Sequence, residues 1–127
     1  MTRFVILEHD WPERHWDFML EMGESLRTWR LERFPEQDLW IQATPLPDHR
    51  LAYLDYEGPV SGNRGSVVRR EAGEYRLTAD FPLELWAEVT GQTLVGRIRI
   101  LREPHAEKLL FQLGQHPTAN RKSEETL

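Results

Sequence analysis

Three side chains able to ligate a metal crowd the N-terminal part of this chain: His9, His15 and Asp17. From His15 to Glu21 the sequence has the period of two that marks a strand. His15, Asp17, Met19 and Glu21 project to one side, and Trp16, Phe18 and Leu20 to the other. A histidine and a carboxylate two residues apart then point the same way. His9 precedes them across a short connection containing Pro12. If that connection folds back, two imidazoles and one carboxylate meet, leaving coordination positions open for hydrolytic chemistry. The bland alternative is a solvated polar strand face.

Two further groups carry chemical potential. His49 and Tyr53 are four residues apart and share a face if the chain turns helically there. Asp48 is a candidate partner for the His49 imidazole. Of the 16 basic residues, 14 are arginine and two are lysine. The planar fork of arginine suits bidentate phosphate contacts, although surface ion pairing explains most arginines in an acidic protein.

The elements that must position these groups read as short strands. Arg3–Glu8, His15–Glu21, Leu26–Leu31, Leu39–Ala43, Ser66–Arg70, Glu74–Ala79, Leu83–Val89, Leu94–Arg102 and Lys108–Leu113 are strand-like runs. Turns are expected at Met22–Ser25, Glu71–Gly73 and Thr90–Gln92. Pro45 and Pro47 argue against a central strand over 44–48. Residues 49–57 read as irregular or as one helical turn, and the glycine-rich stretch Gly58–Gly65 as a loop. With no long helix and no internal repeat, the expectation is an all-β fold, a compact antiparallel β-barrel over residues 1–115. Residues 116–127 read as a disordered tail. Core packing is the expected role of most of the five tryptophans. His105 and His116 are expected in solvent.

A length of 127 residues suits one domain. With no cysteine, disulfides and thiolate chemistry are excluded, and any metal takes nitrogen and oxygen ligands. The net charge of -5 argues against wrapping a nucleic-acid backbone, but not against a local arginine patch that grips one strand end. No run approaches a membrane span, and no signal-peptide layout is visible, so a cytoplasmic protein is the expectation.

Together these runs resemble a known family. Phe4-Val5-Ile6-Leu7-Glu8-His9-Asp10 followed by His15-Trp16-Asp17-Phe18-Met19-Leu20-Glu21 is similar to the 3′-phosphoesterase domain of bacterial DNA ligase D. There a strand ending in His-Asp precedes a His-Tyr-Asp-Phe-Arg-Leu-Glu strand. Leu26–Leu31 resembles that family's L-K-S-W-A-V strand, and Asp48–Gly58 its D-H-P-L-D-Y-x-D-F-E-G motif. Gly65-Ser66-Val67 resembles its G-x-V strand entry. The resemblance implies a manganese-dependent phosphoesterase that trims 3′-phosphate or 3′-ribonucleotide ends in DNA repair, on DNA or RNA-tipped primers and alongside repair proteins. By the same resemblance, His9, His15 and Asp17 hold the metal. His49 acts at the scissile phosphate supported by Tyr53, and Arg33 and Arg50 bind phosphate. Met19 replaces a family arginine, His49-Arg50 replaces His-Pro, Arg33 stands for a lysine, and one arginine has no counterpart among Gln42, Ala43 and Thr44. The altered phosphate clamp leaves an alternative: a catalytically weak or inactive module that binds nucleic-acid ends.

Overall fold

The computed structural model describes residues 2–102 and 109–115. Nine strands form: β1 (Arg3–His9), β2 (His15–Met22), β3 (Ser25–Leu31), β4 (Trp40–Arg50), β5 (Gly58–Pro59), β6 (Ser66–Phe81), β7 (Glu84–Gly91), β8 (Val95–Leu101) and β9 (Leu109–Gly114). They pair antiparallel in the order β1-β2-β3-β4-β9-β8-β7-β6-β5, and β1 also pairs with β6, so the sheet closes in a ring. The all-β expectation holds. Closure leaves few unpaired edges, which is how small antiparallel sheets avoid sticking to one another.

Alternation fills the ring. Phe4 and Ile6 of β1, Phe18 and Leu20 of β2, and Trp29 and Leu31 of β3 join residues from the remaining long strands in one core. The Phe18 ring sits edge-on to Phe111 with centroids 5.3 Å apart. The interior is packed with side chains, and the candidate site described below lies on the outer wall.

That wall is not uniformly wet. Val5, Leu7, Met19 and Leu26 form a second buried cluster with Leu54 and Val67. After β4 the chain makes one 3-10 turn, Leu51–Leu54, then the short β5. Leu51, Tyr53, Tyr56 and Val60 from this stretch pack onto the outer cluster. β1 and the centre of β2 are therefore covered on both faces, where the sequence pattern led us to expect one wet face.

Other expectations are corrected. Residues 44–50 belong to β4, prolines included. Among the described residues they pair only with β3, and Trp40–Ala43 pair with β9. There the proline stretch carries ladder pairing on one side, where strand prolines are tolerated. The turn expected at Glu71–Gly73 is absent, since β6 runs unbroken through it. A bulge bends it instead: Ile6 faces Glu71 and Leu7 faces Arg69, leaving Arg70 as an extra residue. Of the tryptophans only Trp29 is fully in the core; Trp11 and Trp40 are exposed, and Trp86 packs outward beneath Arg97 and Arg99. Lys108, His105, His116 and the expected tail lie outside the described residues.

One buried charge ties the ring shut. Glu71 has no exposed surface. Its carboxylate accepts from the amides of Ala72, Gln92, Thr93 and Leu94 and from the Thr93 hydroxyl. Burial by itself raises its pKa, but the Thr93 and amide bonds outweigh this and hold it below the ordinary glutamate value. The bonds clamp the β7–β8 turn to β6 beside the bulge in its pairing with β1.

Candidate metal and phosphate site

The β1–β2 hairpin brings the three ligand candidates together. His9 ends β1 and faces His15, the first residue of β2, in the strand register. Asp17 follows on the same outer face. Ligand atoms of His9, His15 and Asp17 all lie within 4.8 Å of one another. Asp17 approaches His15 Nε2 at 3.2 Å and His9 Nδ1 at 3.8 Å. Its side chain is 3% exposed.

Each imidazole is oriented by a backbone carbonyl. His15 Nδ1–H donates to Glu13 O at 2.8 Å, which leaves Nε2 for Asp17. His9 Nε2–H donates to Arg64 O at 2.7 Å, which leaves Nδ1. In these neutral tautomers both free nitrogens present lone pairs to the same carboxylate. Asp17 Oδ1 is buried without a hydrogen-bond partner among the described residues. Acceptors converging on acceptors require a positive charge between them. A proton is one answer: burial lowers the His15 pKa, but the Asp17 carboxylate outweighs it and the net direction is upward. A divalent cation is the other, and two imidazoles fixed through their second nitrogens plus a carboxylate suit it.

The loop that supplies Arg64 O depends on Gly65. Its φ of +72° is left-handed, and a Cβ there would meet Asp10 Oδ1 at 2.1 Å and Trp11 Cβ at 2.7 Å. Asp10 Oδ1 in turn accepts from Ser66 N at 2.8 Å. The resemblance quoted Asp10 and Gly65 within its motifs but gave neither a role. Their signal is the pair of conformational demands at the two ends of one contact.

Opposite the triad stands His49. It lies in β4, not in a helical turn, and Nδ1–H donates to Pro47 O at 2.9 Å. Asp48 does not orient it, since that carboxylate accepts from Ser25 Oγ. The His49 and Tyr53 rings meet edge-on with centroids 5.9 Å apart. A cavity of about 290 Å³ is lined by His9, Asp17, Met19, His49, Arg50 and Tyr53, together with Arg64, Val60 and neighbouring residues. His15 touches Asp17 but does not line it. Arg50 is exposed at its rim. Arg33 is exposed in the bend after β3 and does not line the cavity. So five of the seven candidate residues line one cavity, His15 stands behind it against Asp17, and Arg33 lies apart.

The DNA Ligase D 3'-phosphoesterase domain family matches residues 7–115. A multifunctional non-homologous end joining protein LigD from Pseudomonas aeruginosa is 28% identical over 80% of this chain. The match covers 13% of that longer protein. A match that runs from the end of β1 through β9, and takes in every wall of the cavity, shows that the chain belongs to the DNA ligase D 3′-phosphoesterase domain family.

Proposed function

We propose that this chain is a metal-dependent phosphoesterase, with manganese as its metal, that hydrolyses phosphate esters at nucleic-acid 3′ ends during DNA repair in the cytoplasm. The carrying observation is the convergence of His9 Nδ1, His15 Nε2 and a buried, under-bonded Asp17, with both imidazoles locked by backbone carbonyls. A divalent cation held by these residues would supply Lewis-acid polarisation of the phosphoryl oxygen and a bound water of lowered pKa.

The other residues divide the remaining work. Hydrolysis of a 3′-phosphate joins a water oxygen to phosphorus and breaks the bond from phosphorus to the 3′ oxygen. That oxygen leaves as the 3′-hydroxyl and needs a proton. His49 has Nδ1 engaged by Pro47 O, so its imidazolium would offer Nε2–H to the leaving oxygen. Tyr53 holds the His49 ring by edge contact. Arg50, on the same cavity, neutralises phosphoryl charge as it develops.

The deciding assay uses a labelled primer-template ending in a 3′-phosphate or a single 3′-ribonucleotide, in manganese, with His15→Ala beside the wild type. Loss of the phosphate or ribonucleotide with wild type alone is the expected result. One observation favours a second reading, an end-binding module without turnover: Met19 lines the cavity where the family carries arginine, and a thioether donates no hydrogen bond. Manganese-dependent stabilisation without any product would select that reading.

A further inference from the structure

Two arginines line the cavity, Arg50 and Arg64. Arg64 commits Nε and Nη2 to Ser61 of its own loop. Arg50 is exposed at the rim. Met19, between the triad and His49, offers no positive charge. A terminal phosphate is dianionic near neutral pH, and Asp17 adds to the negative charge around it.

β3 carries an arginine next to Asp17, beside the cavity although it does not line it. Arg30 pairs directly with Asp17 in the β2–β3 register, and Met19 pairs with Thr28. Arg30 is therefore the cross-strand neighbour of Asp17 and a diagonal neighbour of Met19, within reach of a long side chain. It lies on the outer face, because Trp29 and Leu31 on either side of it face the packed interior. It is half-buried, and among the described residues it makes no ion pair or hydrogen bond. In the family strand quoted above, alanine stands where this chain has Arg30, while arginine stands where it has Met19.

We propose that Arg30 is a phosphate-binding residue of this chain, its guanidinium engaging the phosphoryl oxygens of an ester seated beside Asp17. The positive charge missing from β2 is supplied from the adjacent strand. This rests on the phosphoesterase reading and adds a residue to it. The fork of arginine can bridge two phosphoryl oxygens, which a point charge cannot.

The test measures turnover and binding side by side in manganese. The probes are matched oligonucleotides ending in a 3′-phosphate or a 3′-hydroxyl. The proteins are wild type, Arg30→Ala, Arg30→Gln, Arg30→Lys and His15→Ala. Removing one charge-assisted donor from the developing phosphoryl charge is expected to lower kcat/KM about 10²-fold. Arg30→Ala and Arg30→Gln should also lose the binding preference for the phosphate end, while the manganese-dependent rise in Tm persists. Arg30→Lys should recover part of the loss. Arg30→Gln keeps the stem of the side chain, so it decides the matter if the alanine variant melts early. Wild-type turnover and preference in both neutral variants, with His15→Ala inactive, would overturn the Arg30 assignment and leave the phosphoesterase reading intact. A wild type that prefers the phosphate end without turning it over would sink the enzyme reading alone, and loss of that preference in Arg30→Gln would still support Arg30. A wild type with neither turnover nor preference overturns both.

Discussion

Replacing Glu71 by glutamine is the most demanding test of how the ring is held. The side chain keeps its shape, so no cavity opens. The best orientation leaves the amide oxygen on the Thr93–Leu94 side, which has three donors, and turns the NH₂ toward the amides of Ala72 and Gln92. Those two N–H groups then face another donor in a site with no exposed surface. At about 1–3 kcal/mol for each unsatisfied buried donor, the loss is about 2–6 kcal/mol. A protein of this kind has about 5–15 kcal/mol in total. At about 3 °C per kcal/mol for a chain of this size, Tm should fall by about 6–18 °C. The pH dependence has a definite sign. The folded pKa of Glu71 is depressed, so its contribution is fully present above the unfolded glutamate value and is lost as pH falls through the folded one. Urea unfolding of wild type and Glu71→Gln should give midpoints far apart at pH 7 that draw together below about pH 4. Equal midpoints at pH 7, or a gap that widens on acidification, would refute the reasoning.

The remaining predictions bear on the site and the core. Asp17→Asn should fold yet lose most of the stabilisation by manganese, which is about 2.7 kcal/mol when the metal is present at a hundredfold over its Kd; scanning calorimetry with and without metal measures it. Gly65→Ala places a Cβ against Asp10 and Trp11 and displaces the Arg64 carbonyl from His9. Metal affinity should drop by about 10–100-fold, the usual effect of losing such a supporting contact, as a manganese titration followed by Tm would read. Phe111→Ala empties a fully buried site in contact with Phe18 and should cost about 3–5 kcal/mol by urea unfolding.

The sequence was most legible where one physical rule acted alone. Phe18 and Leu20 alternate with Asp17 and Met19, and that is enough to read a strand and its two faces. The His9–His15–Asp17 grouping followed from that strand plus one short connection. The errors arose where two effects competed. Pro45 and Pro47 argue against a strand, but among the described residues the pairing with β9 ends at Ala43, so the proline stretch is paired on one side only. Glu71-Ala72-Gly73 has the composition of a turn, yet the buried carboxylate collects donors from residues 92–94, and the strand bends without stopping. Asp48 beside His49 looks like a partner by adjacency, but neighbouring residues on a strand point to opposite faces. Arg30 was one arginine among 14 until the β2–β3 register placed it across from Asp17. The two-residue turn that pairs Met22 with Ser25 sets that register, so the signal lay in the turn rather than in the arginine itself.

The outer cover over β1 and β2 gives the molecule two unequal levels of local stability. The interior cluster draws residues from all eight strands of the ring, while the outer one gathers Val5, Leu7, Met19, Leu26, Leu54 and Val67 beneath a single 3-10 turn and a two-residue strand. Lifting the cover exposes little apolar surface and breaks few ladder bonds, so it opens at a far lower free energy than the ring. Amides of residues 51–60 should exchange with deuterium well before those of β7 and β8. Tyr53 and Val60 ride on that cover, whereas His9, His15, Asp17 and Arg30 are fixed to the ring. His15, Asp17 and Arg30 therefore keep their geometry while one wall of the cavity breathes, whereas His9 senses the cover through the Arg64 carbonyl, whose loop is bonded to Val60.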